Sequence, residues 1–314
     1  MSESKADRAV KRAALASVGT AVTLIAAKAI AYLMTDSVAL LSTLVDSLLD
    51  AAASTLNLVA VRHARSPADV EHRFGHGKAE ALAGLGQAAF IAGSSVFIGV
   101  QAVQRLLDPR ELAHGVVGVA VMVGSMGATV GLITYQRRVA KKTGSIAIQA
   151  DALHYSTDLL ANLAVIVGLV LATQLGWLRA DPIISLAIAV YILVSAVRIA
   201  RHALDMLMDK ELSIADRERI VEAARAVAGV IDVHDLRTRL AGPKVFIQMD
   251  VEMAPTLTLL EAHRIVLRVD RAIAEVFPGA DVTLHQDPHG IDEPRSGLPL
   301  LPPDAAGIEV KGEL

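Results

Sequence analysis

The sequence predicts an α-helical membrane protein of six transmembrane helices that ends in a small soluble α+β unit. Three observations carry this. Of 314 residues, 53% are hydrophobic and the mean hydropathy is +0.48, more apolar than the core of a soluble domain requires. Along the first two thirds of the chain, successive apolar runs each reach the roughly 20 residues of helix that cross a bilayer. After Met208 the composition turns polar and amphipathic patterns replace the long runs.

The elements follow in order. The polar stretch Met1 to Arg12 precedes a first run, 10–34, that is longer than a signal-peptide core and lacks a small-residue cleavage site, so it is expected to be retained as a helix. Runs 38–62, 80–106, 115–137, 146–173 and 181–207 come next. Lys5, Arg8, Lys11 and Arg12 precede the first run, Arg62, Arg65, Arg73 and Lys78 lie after the second, and Arg137, Arg138, Lys141 and Lys142 lie after the fourth. The excess of basic residues on that side places those loops, and both termini, in the cytoplasm. The opposite connections are the Thr35-Asp36-Ser37 link, the stretch from Arg105 to His114 and the turn from Arg179 to Pro182.

In the soluble part, 213–228 reads as a helix capped by Ser213, with acidic residues in its first turn. Segments 231–241 and 244–253 alternate around Gly242-Pro243 as a hairpin, 258–276 reads as a second helix and 280–286 as a final strand, giving αββαβ. The expected domains are 1–208 in the membrane, 209–290 as a cytoplasmic domain, and 291–314 as a mobile tail rich in Pro and Gly.

Composition excludes several classes. Lys and Arg number 30 against 33 Asp and Glu, so no basic excess suggests nucleic acid. There is no cysteine. Disulfides and thiolate sites are thereby excluded, and any metal must be held by His, Asp and Glu, a set suited to zinc, cadmium, manganese or ferrous iron.

The second and fifth runs carry charge into the membrane, where an ionisable group is by default a functional candidate. Asp46 and Asp50 in LVDSLLD are four apart, one above the other on a helix face. His154 and Asp158 in DALHYSTD share that spacing. At about 1.5 Å per residue, both pairs lie about 12 to 18 Å from their helix starts, near the middle of a bilayer. Three carboxylates and an imidazole match a tetrahedral zinc shell in number and type. Each would cost about 2.5 to 3.5 kcal/mol to bury at a helix centre, a cost that two matched pairs at one depth share with a purpose. Protons and metal compete for such donors, which would let one be exchanged for the other. Asp151, one turn before His154, reads equally as an entry-path carboxylate or as a cap at the helix start.

At these residues the sequence resembles the cation diffusion facilitator family, in its bacterial zinc and ferrous-iron efflux branch. The resemblance covers about residues 8 to 290 and rests on LVDSLLD, HRFGHGKAE, QADALHYSTD, HDLRTR and HQDP. It implies a metal transport site at Asp46, Asp50, His154 and Asp158, with Leu153 helping to close the cytoplasmic side. A second metal site is implied in the loop between the second and third helices at Asp69, His72 and His76. One Asp and two His within eight residues of a Pro- and Gly-bearing loop are a weak signal without the resemblance. Implied metal positions in the cytoplasmic domain are His234, Asp250, His263, His285 and Asp287. Asp250 departs from the zinc exporters of this branch, which carry a bridging His there. His289 is an extra, expected to be exposed.

The resemblance further implies a homodimer joined by a salt bridge from Lys78 to Asp209, with Asp205 as second choice, and a soluble domain of ferredoxin-like, metallochaperone-like fold. The activity implied is export of a divalent transition metal, zinc foremost and cadmium or ferrous iron as options, by metal/proton antiport across the inner membrane. Divalent ions would be bound as substrate and as structural or regulatory ions, with no catalytic cofactor. The rival reading is a membrane-anchored metal sensor or scaffold without flux. An intramembrane hydrolase is disfavoured, because neither HExxH nor a serine elbow occurs and a four-ligand shell leaves no place for an activated water.

Overall fold

The computed structural model describes residues 5–35, 38–107, 116–175 and 179–291, with several helix residues, Asp46 among them, described by backbone alone. The tail expected from 291 lies, after Ile291, outside the described residues, as do most of the connections expected at 35–37 and 105–114. The chain divides into two compact units, Met1–Leu207 and Met208–Leu314.

The first unit holds six long helices: α1 (Lys5–Thr35), α2 (Val38–Ala64), α3 (Lys78–Leu107), α4 (Val116–Thr143), α5 (Ile146–Leu175) and α6 (Ala180–Leu207). Over Lys5–Ile30, Lys78–Gln104 and Pro182–Leu207, helices α1, α3 and α6 are long and apolar enough to cross a membrane by themselves. The helices outrun the apolar runs of the sequence. α4 continues to Thr143 through Arg137, Arg138, Lys141 and Lys142, because Arg and Lys are good helix formers and basic residues suit a helix C-terminus. Gly144, at φ 68, then stops it, its N–H donating to the Ala140 carbonyl at 2.8 Å.

α5 is the hub of this unit, touching each of the other five helices. Its first half is buried almost all round: Ile146, Ala147, Ile148, Ala150, Asp151, Ala152, His154 and Tyr155 all lie inside. A helix buried on every side belongs in the middle of a bundle. Close approach is secured at Gly84 of α3, where an added Cβ would meet Ile146 Cγ2 at 2.6 Å. Tyr155 ties the hub to two neighbours, its hydroxyl lying 2.9 Å from Ser54 Oγ of α2, which in turn accepts from Ser17 Oγ of α1 at 2.9 Å.

The second unit runs α7 (Ile214–Arg225), β1 (Asp232–Ala241), β2 (Lys244–Met253), α8 (Leu259–Val276) and β3 (Asp281–Pro288). Ser213 caps α7 and accepts from the Asp216 N–H at 3.2 Å. Thr258 and Glu261 form a reciprocal capping box at the start of α8. The sheet has the order β1-β2-β3, antiparallel between β1 and β2 and parallel between β2 and β3. Ile247, Met249, Val251 and Met253 alternate along β2 and join Ile220, Ile265, Val269 and Ile273 in the core. Period two sends Gln248, Asp250 and Glu252 to the other face, which the helices leave uncovered.

Candidate metal centres

Among the described residues, three clusters of His and carboxylate gather. The first lies where α5 meets α2. His154 Nε2 is 3.1 Å from Asp50 Oδ1 and 3.9 Å from Asp158 Oδ2, and one donor atom from each of the three residues lies within 4.8 Å of the others. The His154 ring is buried beside Tyr155 and Phe90, at centroid distances of 5.6 and 6.1 Å. Asp46 stands one turn before Asp50 on α2, and its side chain is outside the described residues.

Asp151 resolves differently from a cap. It is fully buried inside α5, accepting from Gln87 of α3 at 3.3 Å and from Gln136 of α4 at 2.5 Å. Capping falls instead to Ser145, whose Oγ accepts from the Ile148 N–H at 3.3 Å. Asp151 therefore joins three helices just beneath the metal cluster. Leu153 is buried with Ile91 of α3 and Ile192 and Ala196 of α6.

The second cluster is built by the loop between α2 and α3. Asp69 folds the loop onto itself, its carboxylate accepting from the backbone N–H of His72 at 2.6 Å and of Glu71 at 3.0 Å. The His72 bond, with that from Glu71 and the neighbouring imidazoles, holds the Asp69 carboxyl below the usual aspartate range against its desolvation. Gly75, at φ 84, turns the chain so that its N–H reaches the His72 carbonyl at 2.9 Å. The result brings His72 Nδ1 to 3.4 Å and His76 Nε2 to 3.2 Å from the Asp69 carboxylate. His76 is buried, and its Nδ1 has no hydrogen-bond partner. A fourth residue enters that sequence spacing did not single out: His63, in the last turn of α2, places its ring centroid 4.4 Å from that of His76.

The third cluster covers the open face of the sheet. Register sets His234 opposite Asp250, Asp250 opposite His285, and Glu252 opposite Asp287. His234 Nε2 lies 3.2 Å from Asp287 and 3.4 Å from Glu252, while its Nδ1 faces Asp250 and Asp235 at 3.9 Å each. Asp235 reaches this face because β1 breaks register between His234 and Arg237, with Asp235 at φ 48. A bulge lets two consecutive residues serve one face, which a regular strand forbids. His285 Nε2 is 3.0 Å from Asp287. His289 is exposed, and its Nδ1 lies 2.7 Å from the buried Glu252 carboxylate. Burial and the nearby Asp287 charge push the Asp250 carboxyl above the usual range, against the imidazoles of His234 and His285.

One expected ligand stands apart from this cluster. His263 is exposed on α8. It precedes the core residue Ile265 by two positions, which on a helix puts it on the far side from the sheet, and among the described residues no contact joins it to this cluster. Lys78 opens α3, its Nζ donating to the Leu207 carbonyl at 3.3 Å. The Asp209 carboxylate accepts from Arg239 at 3.4 Å.

Two family models match this chain. The model described as the cation efflux transmembrane domain matches residues 14–208, and the one described as the cation efflux protein, cytoplasmic domain, matches residues 212–289. The cation-efflux pump FieF of Serratia proteamaculans is 47% identical over 281 residues, covering 90% of this chain and 93% of that protein. FieF of Salmonella arizonae is 45% identical with the same coverage. Among solved structures, the zinc form of CzrB is 34% identical, with 27% of this chain and 99% of that chain covered and a TM-score of 0.25. The nickel form of a MamM CTD variant is 30% identical, with coverage of 24% and 98% and a TM-score of 0.24.

Proposed function

The chain belongs to the cation efflux family, and we propose that within that family it exports divalent transition metal ions from the cytoplasm in exchange for protons. The observation that carries the reading is the gathering of Asp50, His154 and Asp158 where α2 and α5 meet. Asp46, one turn away on the same helix, would complete a four-ligand shell. Zinc is the substrate this donor set fits first, with cadmium and ferrous iron next.

The metal enters from the cytoplasmic side, past Leu153, and binds as substrate to Asp46, Asp50, His154 and Asp158. Each of these donors is also a base, so protons arriving from outside compete for the same lone pairs and release the ion outward. Asp151, clamped between Gln87 and Gln136, orients α5 for this and is not itself a ligand. The chain works as a homodimer in the inner membrane with both termini in the cytoplasm, and Lys78 pairs with Asp209 of the other copy. The loop set Asp69, His72 and His76 and the sheet-face set His234, Asp250, His285 and Asp287 would hold resident ions. The donor chemistry of both sets fits zinc, and the partnerless buried His76 Nδ1 is an atom such an ion or its shell would satisfy.

Zinc flux into proteoliposomes under an imposed pH gradient tests this, comparing the native chain with Asp50→Ala. Gradient-dependent flux that the substitution abolishes is the expected result. Zinc binding without flux under any gradient, for any divalent metal tried, would put a sensor or scaffold in its place.

A further inference from the structure

We infer that His63 is the fourth protein ligand of the loop site, closing it as an Asp69, His63, His72 and His76 shell that clamps the end of α2 to the start of α3. The inference rests on reading the loop as a metal site and goes beyond it.

Two observations point the same way. The first is spacing. Two imidazoles that share one zinc at about 2.0 Å, at a near-tetrahedral angle, hold their ring centroids about 5 Å apart. His72 and His76 are at 4.6 Å, and His63 and His76 at 4.4 Å. His76 thus stands in the same relation to His63 as to its loop neighbour His72. The rings are tilted by 58° rather than stacked flat, which leaves ring edges, where the nitrogens are, able to converge.

The second is the buried nitrogen. His76 is the only buried member of the four, and its Nδ1 is left without a hydrogen-bond partner. A buried imidazole whose Nε2 meets Asp69 at 3.2 Å and whose Nδ1 meets nothing is costly to keep. That cost falls where a ligand shell orders the ring and a water on it completes the remaining nitrogen, and the rings of His63 and His72 both lie against His76.

The consequence concerns what the site does. Three protein ligands leave a position for water or a passing ion, whereas four close the shell in the manner of a structural zinc. His63 belongs to the last turn of α2 and His76 lies two residues before α3 begins. A closed shell spanning both ties the two helix ends together. The ion there stays with the protein and is not cargo in transit.

The chain contains no cysteine, which supplies a clean test. In the full-length protein in detergent, with Asp50→Ala and Asp287→Ala removing the other centres, His63→Cys is loaded with Co²⁺ alone. A thiolate-to-cobalt charge-transfer band, which only position 63 can produce, is expected together with the strong visible absorption of tetrahedral cobalt. His63→Ala is expected to weaken Co²⁺ binding about 10- to 100-fold and to lose the tetrahedral spectrum. If His72→Ala loses the site but His63→Cys gives no thiolate band and His63→Ala binds as the parent does, His63 and His76 are merely stacked and the inference falls. If His72→Ala leaves occupancy unchanged, the loop is not a metal site and the reading beneath the inference falls with it.

Discussion

Asp250 occupies the middle of a row, with His234 across one strand pair and His285 across the other. An oxygen donor there is harder than the imidazoles beside it, and zinc favours nitrogen over oxygen when both can reach. Asp250→His is therefore expected to tighten zinc binding at the sheet-face cluster about tenfold, which is about 1.4 kcal/mol. Zinc titration of the full chain carrying Asp50→Ala, so that the membrane centre does not contribute, measures it. Unchanged affinity would mean that Asp250 contacts no metal and that His234 binds through Glu252 and Asp287 alone. Glu252 is the residue at this scale that motif matching passes over. Its signal was present in the chain, since it follows Asp250 by two and so shares its face on any strand, but only the pairing with β3 shows that both of its neighbours are ligand types.

At the scale of elements, Arg65 joins three helices at their ends. Its Nη1 lies 2.8 Å from Glu80 of α3 and its Nε 3.0 Å from Asp7 of α1. The Arg65 and Glu80 side chains are 5% and 3% exposed. Truncating one partner of a buried ion pair leaves the others desolvated and uncompensated, at a cost of about 3 to 5 kcal/mol. Arg65→Ala should lower the unfolding temperature of the detergent-solubilised protein far more than Arg73→Ala, an exposed arginine of the same loop; equal effects would count against the joint. Arg65→Lys, which cannot fork to two carboxylates, should fall between. This joint was not legible in the sequence, because Asp7 and Arg65 are separated by 58 positions and nothing local marks the pair. The helices themselves were legible, since hydropathy over about 20 residues is a local property, and so was the αββαβ order, whose caps at Ser213 and Thr258 stand in the sequence. α4 runs past its apolar segment, because Arg and Lys continue a helix that apolar residues began. Asp235 was invisible for another reason: only a bulge brings it to the face of His234, and a bulge is a property of two strands.

For the whole molecule, the question is why one chain carries a cluster of His and carboxylate in its first unit and another in its second. If the sheet-face cluster binds metal more tightly in the conformation that takes up substrate from the cytoplasm, filling it raises the affinity of the membrane centre. By linkage, filling the membrane centre must raise the affinity of the cluster by the same factor. Couplings of this kind are typically about 1 to 3 kcal/mol, or about 5- to 150-fold. Removing the cluster with Asp287→Ala should then raise the cytoplasmic-side KM for zinc at least about fivefold while leaving the maximal rate near that of the parent, because no ligand of the transport centre is touched. A fall in maximal rate with unchanged KM would instead assign the cluster to holding the dimer together rather than to sensing metal. The reciprocal experiment separates the two further: Asp50→Ala should weaken zinc binding at the sheet face if the units are coupled, and should leave it untouched if the soluble unit is only a fastening.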